Sequence, residues 1–217
     1  MTKKAIIFDL DGTLWDSSRQ ITDSWNEVLQ EMGREACSYE FITSLLGQPM
    51  DVFAREIFPD LPLEKGLEEL QKCMEYENAY LEKHGATLYP DLRETVEKLR
   101  NNGYFTAVVS NSQSGYIEAF MKAHQLEDLF DDIECFGNTF CYKDENIRRV
   151  IERNGIDEAV YVGDIQSDCD ASTKAGIPFI FASYGFGNVD TDRRIDSLRE
   201  LPEAADRIFD EVFAASK

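Results

Sequence analysis

The fold is decided by the stretch Ala5–Gly12, which reads AIIFDLDG. Its first four residues are apolar and rich in β-branched side chains, which is typical of a buried parallel strand. Two aspartates and a glycine follow at once, and this composition indicates a tight loop. The sequence therefore predicts a buried strand that delivers Asp9 and Asp11 to one edge of a sheet.

Further apolar runs end in polar residues in the same way. They are Phe105–Val109 before Ser110 and Asn111, Ala159–Val162 before Gly163 and Asp164, and Ile177–Ala182 before Ser183, with a weaker strand over Asp132–Phe136. Amphipathic helical patterns lie between the runs, for example Leu92, Val96 and Leu99 on one face. Strands that alternate with single helices form βαβ units, so the predicted fold class is α/β with a doubly wound parallel sheet.

One stretch departs from this alternation. From Ser17 to His84 the apolar residues repeat at helical spacing, as in Trp25, Val28 and Leu29, with almost no strand signal. We therefore expect a small helical bundle inserted after the first strand. The predicted domains are an α/β core of residues 1–16 and 87–217 and an α-helical cap of residues 17–86.

Polar side chains at the carboxyl ends of parallel strands converge on one crevice. The crevice predicted here holds Asp9, Asp11, Ser110 and Asp164, and Lys143 precedes the helix that leads into the third strand. Several carboxylates in one cleft repel each other unless a cation is present, and oxygen ligands of this kind suit Mg²⁺. A carboxylate can also act as a nucleophile and form an aspartyl-phosphate.

Each of these residues taken singly has a structural interpretation. An aspartate after a strand often caps a helix or forms a turn, and Asp168 has this alternative as a cap of the helix Cys169–Ala175. Ser110 alone is an ordinary loop serine, and Lys143 alone is an ordinary surface lysine. The prediction of a site depends on their joint order, because every one of them falls at a predicted strand end or helix start.

The motifs resemble those of the haloacid dehalogenase-like hydrolases, in their phosphoglycolate phosphatase-like branch. Phe8–Leu14 is similar to the first motif of that family, Val109–Asn111 to the second, and Gly163–Asp168 to the fourth, while Lys143 lies where the third-motif lysine belongs. The helical insertion is similar to the family's cap, so the resemblance spans the whole chain. It implies a Rossmann-like core and a phosphoric monoester hydrolase.

The resemblance also implies a role for each matching residue. Asp9 would be the nucleophile and a metal ligand, and Asp11 would be the acid and base, with its backbone carbonyl on the metal. Asp164 would be a further ligand of Mg²⁺, and Asp168 would support or ligate the ion. The residues implied to bind the substrate's phosphoryl group are Asp9, Thr13, Ser110, Asn111 and Lys143.

Two other functions were weighed against hydrolysis of a phosphate monoester. A phosphomutase of the β-phosphoglucomutase type needs a basic residue in the cap to hold a second phosphate, and the matching stretch Gln48–Met50 is uncharged. A non-enzymatic phospho-aspartate switch shares the acidic site but lacks a helical insertion and has an adjacent acidic pair. The resemblance implies that Asp11 is the proton donor that a leaving alkoxide needs, so hydrolysis of a small phosphorylated metabolite is favoured.

Composition limits the partners and the compartment. The chain of 217 residues carries 42 acidic and 22 basic residues, a formal net charge of −20, which disfavours nucleic acid and anionic membranes as partners. Its five cysteines are odd in number and its two histidines are few. A disulfide framework and a histidine-rich metal site are therefore not expected. We expect a cytoplasmic protein with no obligate protein partner.

Overall fold

The computed structural model describes residues 2–213, and the core of this part is a parallel β-sheet. Its strands are β1 (Lys4–Phe8), β4 (Phe105–Ser110), β5 (Asp132–Cys135), β6 (Glu158–Gly163), β7 (Phe179–Ala182) and β8 (Arg194–Ile195), and two short strands, β2 (Trp15–Asp16) and β3 (Thr87–Leu88), pair separately. The six-stranded sheet has the order β5-β4-β1-β6-β7-β8, and all its pairings are parallel. The expected doubly wound α/β fold is confirmed.

Helices cover both faces of this sheet. In chain order they are α1 (Ser18–Glu31), α2 (Tyr39–Leu45), α3 (Met50–Ile57), α4 (Leu63–His84), α5 (Leu92–Asn101), α6 (Tyr116–His124), α7 (Phe136–Thr139), α8 (Lys143–Asn154), α9 (Gln166–Ala175) and α10 (Leu201–Ile208). The central strand β1 shows why two layers are needed. Ile6 and Phe8 pack into one hydrophobic cluster, whereas Ala5 and Ile7 pack into another, because successive side chains of a strand point to opposite faces.

The short strand that leads into the α1–α4 segment lies beside the short strand that follows it. Trp15 pairs with Leu88 and Asp16 pairs with Thr87 in an antiparallel ladder formed by β2 and β3. Between these strands lie four helices and no strand of the described residues, as the helical periodicity predicts. The division of the chain into a separate cap and core stays a prediction.

The strand order places a switch point beside β1. From β1 the chain crosses to β4 on one side, and after β5 it returns to β6 on the other side of β1. Open α/β sheets bind ligands in the crevice at such a reversal, outside the carboxyl ends of the strands. This crevice lies where Asp9, Ser110 and Asp164 follow or end their strands. No helix of the described residues is long and apolar enough to cross a membrane.

Candidate active site

The centre of the site is an ammonium group held between two buried carboxylates. Lys143 Nζ lies 2.7 Å from Asp9 Oδ1 and 2.5 Å from Asp168 Oδ1, and the lysine is only 4% exposed. Burial by itself would lower the pKa of Lys143, but the negative charges of Asp168 and Asp9 reverse this and raise the pKa well above its usual value. Lys143 is the first residue of α8, as predicted.

The two carboxylates are held there by different elements. Asp9 follows β1, and its backbone N–H donates to the Val162 carbonyl of β6 over 2.8 Å. Asp168 lies in the first turn of α9, where its Oδ2 accepts from the backbone N–H groups of Asp164 and Ile165. The expected helix start at Cys169 is therefore wrong, because α9 begins at Gln166 and Asp168 stabilises its first turn from within.

Asp164 completes the buried acidic group. Its Oδ2 accepts from the Phe186 backbone N–H over 2.7 Å, and its Oδ1 accepts from Thr13 Oγ1 over 3.4 Å. Gly12, with φ +81°, approaches this carboxylate so closely that a Cβ at residue 12 would lie 2.1 Å from Asp164 Oδ2. Glycine is therefore required at residue 12 for both its conformation and its size.

The donor set fits a hard divalent cation. Asp9, Asp164 and Asp168 are all buried, and each offers a carboxylate oxygen within 4.8 Å of the others. Burial, reinforced by Asp168 and Asp164, raises the pKa of Asp9 well above its usual value, although Lys143 opposes this. Burial and Asp168 likewise raise the pKa of Asp164 to about 7. Three buried carboxylates beside one ammonium thus favour a further positive charge, and oxygen ligands suit Mg²⁺.

Asp11 lies outside this cluster and has a different set of partners. Its Oδ1 accepts hydrogen bonds from Trp15 Nε1 at 2.9 Å, from Ser17 Oγ at 2.5 Å and from the Tyr116 hydroxyl at 2.7 Å. Burial raises the pKa of Asp11, and these three donors oppose that rise. Trp15 itself is fully buried against Tyr116 and Phe120, so its role here is packing and hydrogen bonding in the core.

A cavity opens above these groups, with about 500 Å³ of empty space including solvent at its mouth. Its floor contains Asp9, Asp11, Ser110 and Lys143, and the helices of the α1–α4 segment and the loop after β4 form its walls. Ser110 Oγ accepts a hydrogen bond from the Ser112 backbone N–H over 3.2 Å. The hydroxyl proton of Ser110 takes no part in this bond. Asn111 also lines the cavity, and its Nδ2 donates to the Gly47 carbonyl over 3.4 Å.

The structure separates the predicted site residues into two groups. Asp9, Asp11, Ser110, Asn111 and Lys143 line the cavity. Thr13, Asp164 and Asp168 are fully buried beneath it, so the side chain expected to bind substrate at residue 13 instead contacts Asp164. Among the polar residues of the α1–α4 segment, Gln48 lines the cavity, whereas Arg19 and Arg55 are exposed and do not line it.

Four further residues at the site belong to none of the recognised motifs: Ser17, Glu77, Gln113 and Tyr116. Ser17 and Tyr116 hold Asp11, and Gln113 holds Glu77, which is buried in the cavity wall. A signal for Glu77 was present in the sequence. It lies in the buried stripe of α4 with Leu70, Met74 and Leu81. Carboxylates are rarely fully buried without a partner, so a glutamate in such a stripe indicates a functional role. Tyr116, by contrast, looks like an ordinary core aromatic of α6.

Comparison with known proteins gives the class to which this fold and site belong. A model of the haloacid dehalogenase-like hydrolases matches residues 6–182. Phosphoglycolate phosphatase from Nitrosospira multiformis is 30% identical over 213 residues, which is 91% of this chain and 93% of the relative. Phosphoglycolate phosphatase from Aliivibrio fischeri is 28% identical over 198 residues, which is 85% of this chain and 86% of the relative.

A solved structure agrees at the level of the fold. The crystal structure of a predicted phosphoglycolate phosphatase from Haemophilus somnus superimposes with a TM-score of 0.82 at 22% identity, covering 94% of this chain and 99% of that chain. The chain thus belongs to the haloacid dehalogenase-like hydrolases. The expected enzyme class, a phosphatase of this family, is confirmed by these relatives.

Proposed function

We propose that this phosphatase hydrolyses a small phosphate monoester with Mg²⁺, through an aspartyl-phosphate on Asp9. The observation that carries the proposal is the Asp9–Lys143 contact of 2.7 Å at the floor of the cavity, directly above the buried Asp164 and Asp168. A nucleophile, an ammonium group and a cation-binding carboxylate set are what phosphoryl transfer needs.

In the first half of the reaction, an Asp9 carboxylate oxygen attacks phosphorus while the bond from phosphorus to the leaving oxygen breaks. Asp11 gives its proton to that oxygen, so an alcohol leaves rather than an alkoxide. Lys143 and the Ser110 hydroxyl donate hydrogen bonds to the phosphoryl oxygens. Held by Asp9, Asp164 and the Asp11 carbonyl, Mg²⁺ would neutralise charge on the phosphoryl group.

In the second half, water attacks the phosphorus of the Asp9 phosphate and the bond from phosphorus to the carboxylate oxygen breaks. Asp11, now ionised, accepts the proton of the water, and inorganic phosphate leaves. Asp168 keeps Lys143 oriented between the two carboxylates, and Thr13 supports Asp164. Asp168 Oδ1 accepts from Lys143 and its Oδ2 accepts from two backbone N–H groups, so Asp168 also holds the first turn of α9 in place.

The test is multiple-turnover release of phosphate from p-nitrophenyl phosphate. We expect turnover with Mg²⁺, its loss in EDTA and its loss in Asp9→Asn. Asp157→Asn is the matched control, because Asp157 contacts Lys3 at the surface, where β1 and β6 begin, whereas the site lies where these strands end. Activity in Asp9→Asn equal to that of the parent contradicts the mechanism.

The same measurement separates the two alternatives drawn from the sequence. A phospho-aspartate switch keeps the phosphoryl group on its aspartate, so it releases about one p-nitrophenol per chain and then stops, whereas an enzyme releases many equivalents of p-nitrophenol and phosphate. A phosphomutase converts a sugar phosphate to its isomer and releases little phosphate. Phosphoglycolate is the substrate in the names of the relatives, and those names describe the relatives. The residues that line this cavity are separate evidence about the substrate of this chain.

A further inference from the structure

The cavity has little positive charge to offer a second anionic group. Among the described residues that line it, Lys143 alone is basic, and Asp9 and Asp168 already hold that lysine. The phosphoryl group of a substrate would take up what remains of this charge. A carboxylate or second phosphate on the leaving group would therefore be buried without a cation, which is costly.

The wall of the cavity presents a carboxyl group instead. Glu77 of α4 is 2% exposed, and it lines the cavity with no basic ion-pair partner among residues 2–213. Trp25 Nε1 donates to Glu77 Oε2, and Gln113 Nε2 donates to Glu77 Oε1 over 3.2 Å. These two donors fix the carboxyl group in place, and an oxygen of Glu77 that carries no proton keeps a lone pair for another donor.

Two further polar atoms in the lining lack a partner. Asn111 Oδ1 and Ser112 Oγ are both buried without a hydrogen bond in the described part of the chain, and both residues line the cavity. Unsatisfied buried polar atoms are rare and costly, so they point to a ligand that completes them. The acceptors Asn111 Oδ1 and Glu77 call for hydrogen-bond donors on that ligand.

The geometry points to a substrate whose leaving group carries hydroxyl or ammonium donors and no anion, with Glu77 as the residue that selects it. This inference rests on the proposed phosphatase function and adds the substrate class. Trp25 and Phe53, packed edge to face at 5.5 Å, supply an apolar wall for the carbon chain of such a group. A protonated Glu77 would offer a carboxylate one hydrogen bond but no compensating charge.

The inference is tested with three phosphate monoesters that share a two-carbon leaving group. They are 2-hydroxyethyl phosphate, phosphoethanolamine and 2-phosphoglycolate, which differ only in a terminal hydroxyl, ammonium or carboxylate. We expect kcat/KM for the better of the first two to exceed that for 2-phosphoglycolate by about tenfold or more. Competitive inhibition of p-nitrophenyl phosphate hydrolysis by each ester gives the same ranking where turnover is slow.

Glu77→Gln should lower the preference for the donor-bearing ester over 2-phosphoglycolate by about tenfold, chiefly through KM. Glu75→Gln is the matched control on the same helix, since Glu75 is exposed and contacts Gln71. Gln48→Arg, which adds a cation to the wall, should raise the relative kcat/KM for 2-phosphoglycolate and does not depend on how Glu77 variants fold.

A preference for 2-phosphoglycolate, or a ranking within about threefold for all three esters, overturns the inference. So does an unchanged ratio of the kcat/KM values for the donor-bearing ester and 2-phosphoglycolate in Glu77→Gln when that variant folds. None of these results contradicts the proposed phosphatase function. That function is tested separately, by the hydrolysis of p-nitrophenyl phosphate with Mg²⁺ and by its loss in Asp9→Asn.

Discussion

The hydroxyl of Tyr116 donates to Asp11 Oδ1 over 2.7 Å, although 105 residues separate the two in the chain. Tyr116 is the first residue of α6, which follows β4, whereas Asp11 follows β1. Because β1 and β4 are neighbours in the sheet, the loop after one and the helix after the other meet. The proposed acid and base is thus positioned by a helix that carries none of the recognised motifs.

Removing this hydroxyl should impair catalysis without unfolding the protein. Tyr116→Phe deletes one of three donors to Asp11 and leaves the aromatic packing on Trp15 in place. We expect kcat for p-nitrophenyl phosphate to fall about tenfold, because proton transfer depends on the position of the Asp11 carboxyl group. Steady-state kinetics measure this. Tyr76→Phe, which deletes an exposed hydrogen bond to Glu27, should leave kcat unchanged. Equal losses in both variants would refute a role for Tyr116.

Long apolar runs made most of the sheet predictable. Four runs rich in Val, Ile, Phe and Ala match β1, β4, β6 and β7 within two residues, and the weaker one matches β5. β8 was missed because Arg194 and Ile195 form too short a strand to give any pattern. The pairing of Trp15 and Asp16 with Leu88 and Thr87 was also missed, since nothing local links residues so far apart.

The floor of the site was predictable because strand order brings strand ends together. Asp9, Ser110 and Asp164 each follow or end a strand, and that position alone predicts convergence. The walls were not predictable in this way. Which residue of α4 or α6 faces the cavity depends on how these helices pack. Tyr116 resembles an ordinary core aromatic until that packing is known, and the apolar stripe of α4 indicates only that Glu77 is buried, not that it lines the cavity.

The second prediction concerns the close packing around Asp164. A Cβ at Gly185 would lie 2.3 Å from Asp164 Cβ and 2.4 Å from the Gly12 carbonyl oxygen, so Gly185→Ala must displace the backbone or the carboxylate. Displacing a proposed ligand should raise the Mg²⁺ concentration for half-maximal activity by about tenfold. A magnesium titration of activity measures it.

Gly66→Ala is the control for this substitution. Gly66 lies in α4, where an added Cβ would be 3.2 Å from the nearest atom, the Ala54 carbonyl oxygen. Its magnesium dependence should match that of the parent protein. A Gly185→Ala variant that folds and titrates like the parent would show that Asp164 does not bind the metal.

The third prediction compares two lysines. Lys143→Ala removes the ammonium group that contacts Asp9 and Asp168, and the loss of such a contact costs about 2–4 kcal/mol in the transition state. We expect kcat/KM to fall about a hundredfold or more. Lys174→Ala should change it little, because Lys174 is exposed on α9 and borders a neighbouring surface depression rather than the cavity. The reverse pattern would show that the third motif is misassigned, and circular dichroism checks that both variants fold.

The last prediction follows from the burial of Glu77. Burial raises the pKa of Glu77 from 4.5 to about 8, while the hydrogen bonds from Trp25 and Gln113 partly oppose the rise. The folded chain therefore binds this proton more tightly than the unfolded chain. Its contribution to stability is fully present below about pH 4.5 and is lost as the pH rises toward 8, because the unfolded chain releases this proton in that range while the folded chain still holds it.

Glu77→Gln removes this titration and keeps the shape of the side chain. The free energy of unfolding of the parent should therefore fall relative to that of Glu77→Gln between pH 5 and pH 8, by at most about 1.4 kcal/mol for each pH unit, and the difference should level off above pH 8. Urea unfolding at each pH, in EDTA so that no metal is bound, measures it. Glu75→Gln, on the exposed face of the same helix, is the matched control for the substitution itself. A constant offset for Glu77→Gln across this range would mean that Glu77 is already ionised in the folded protein at pH 5, and that burial does not control its charge.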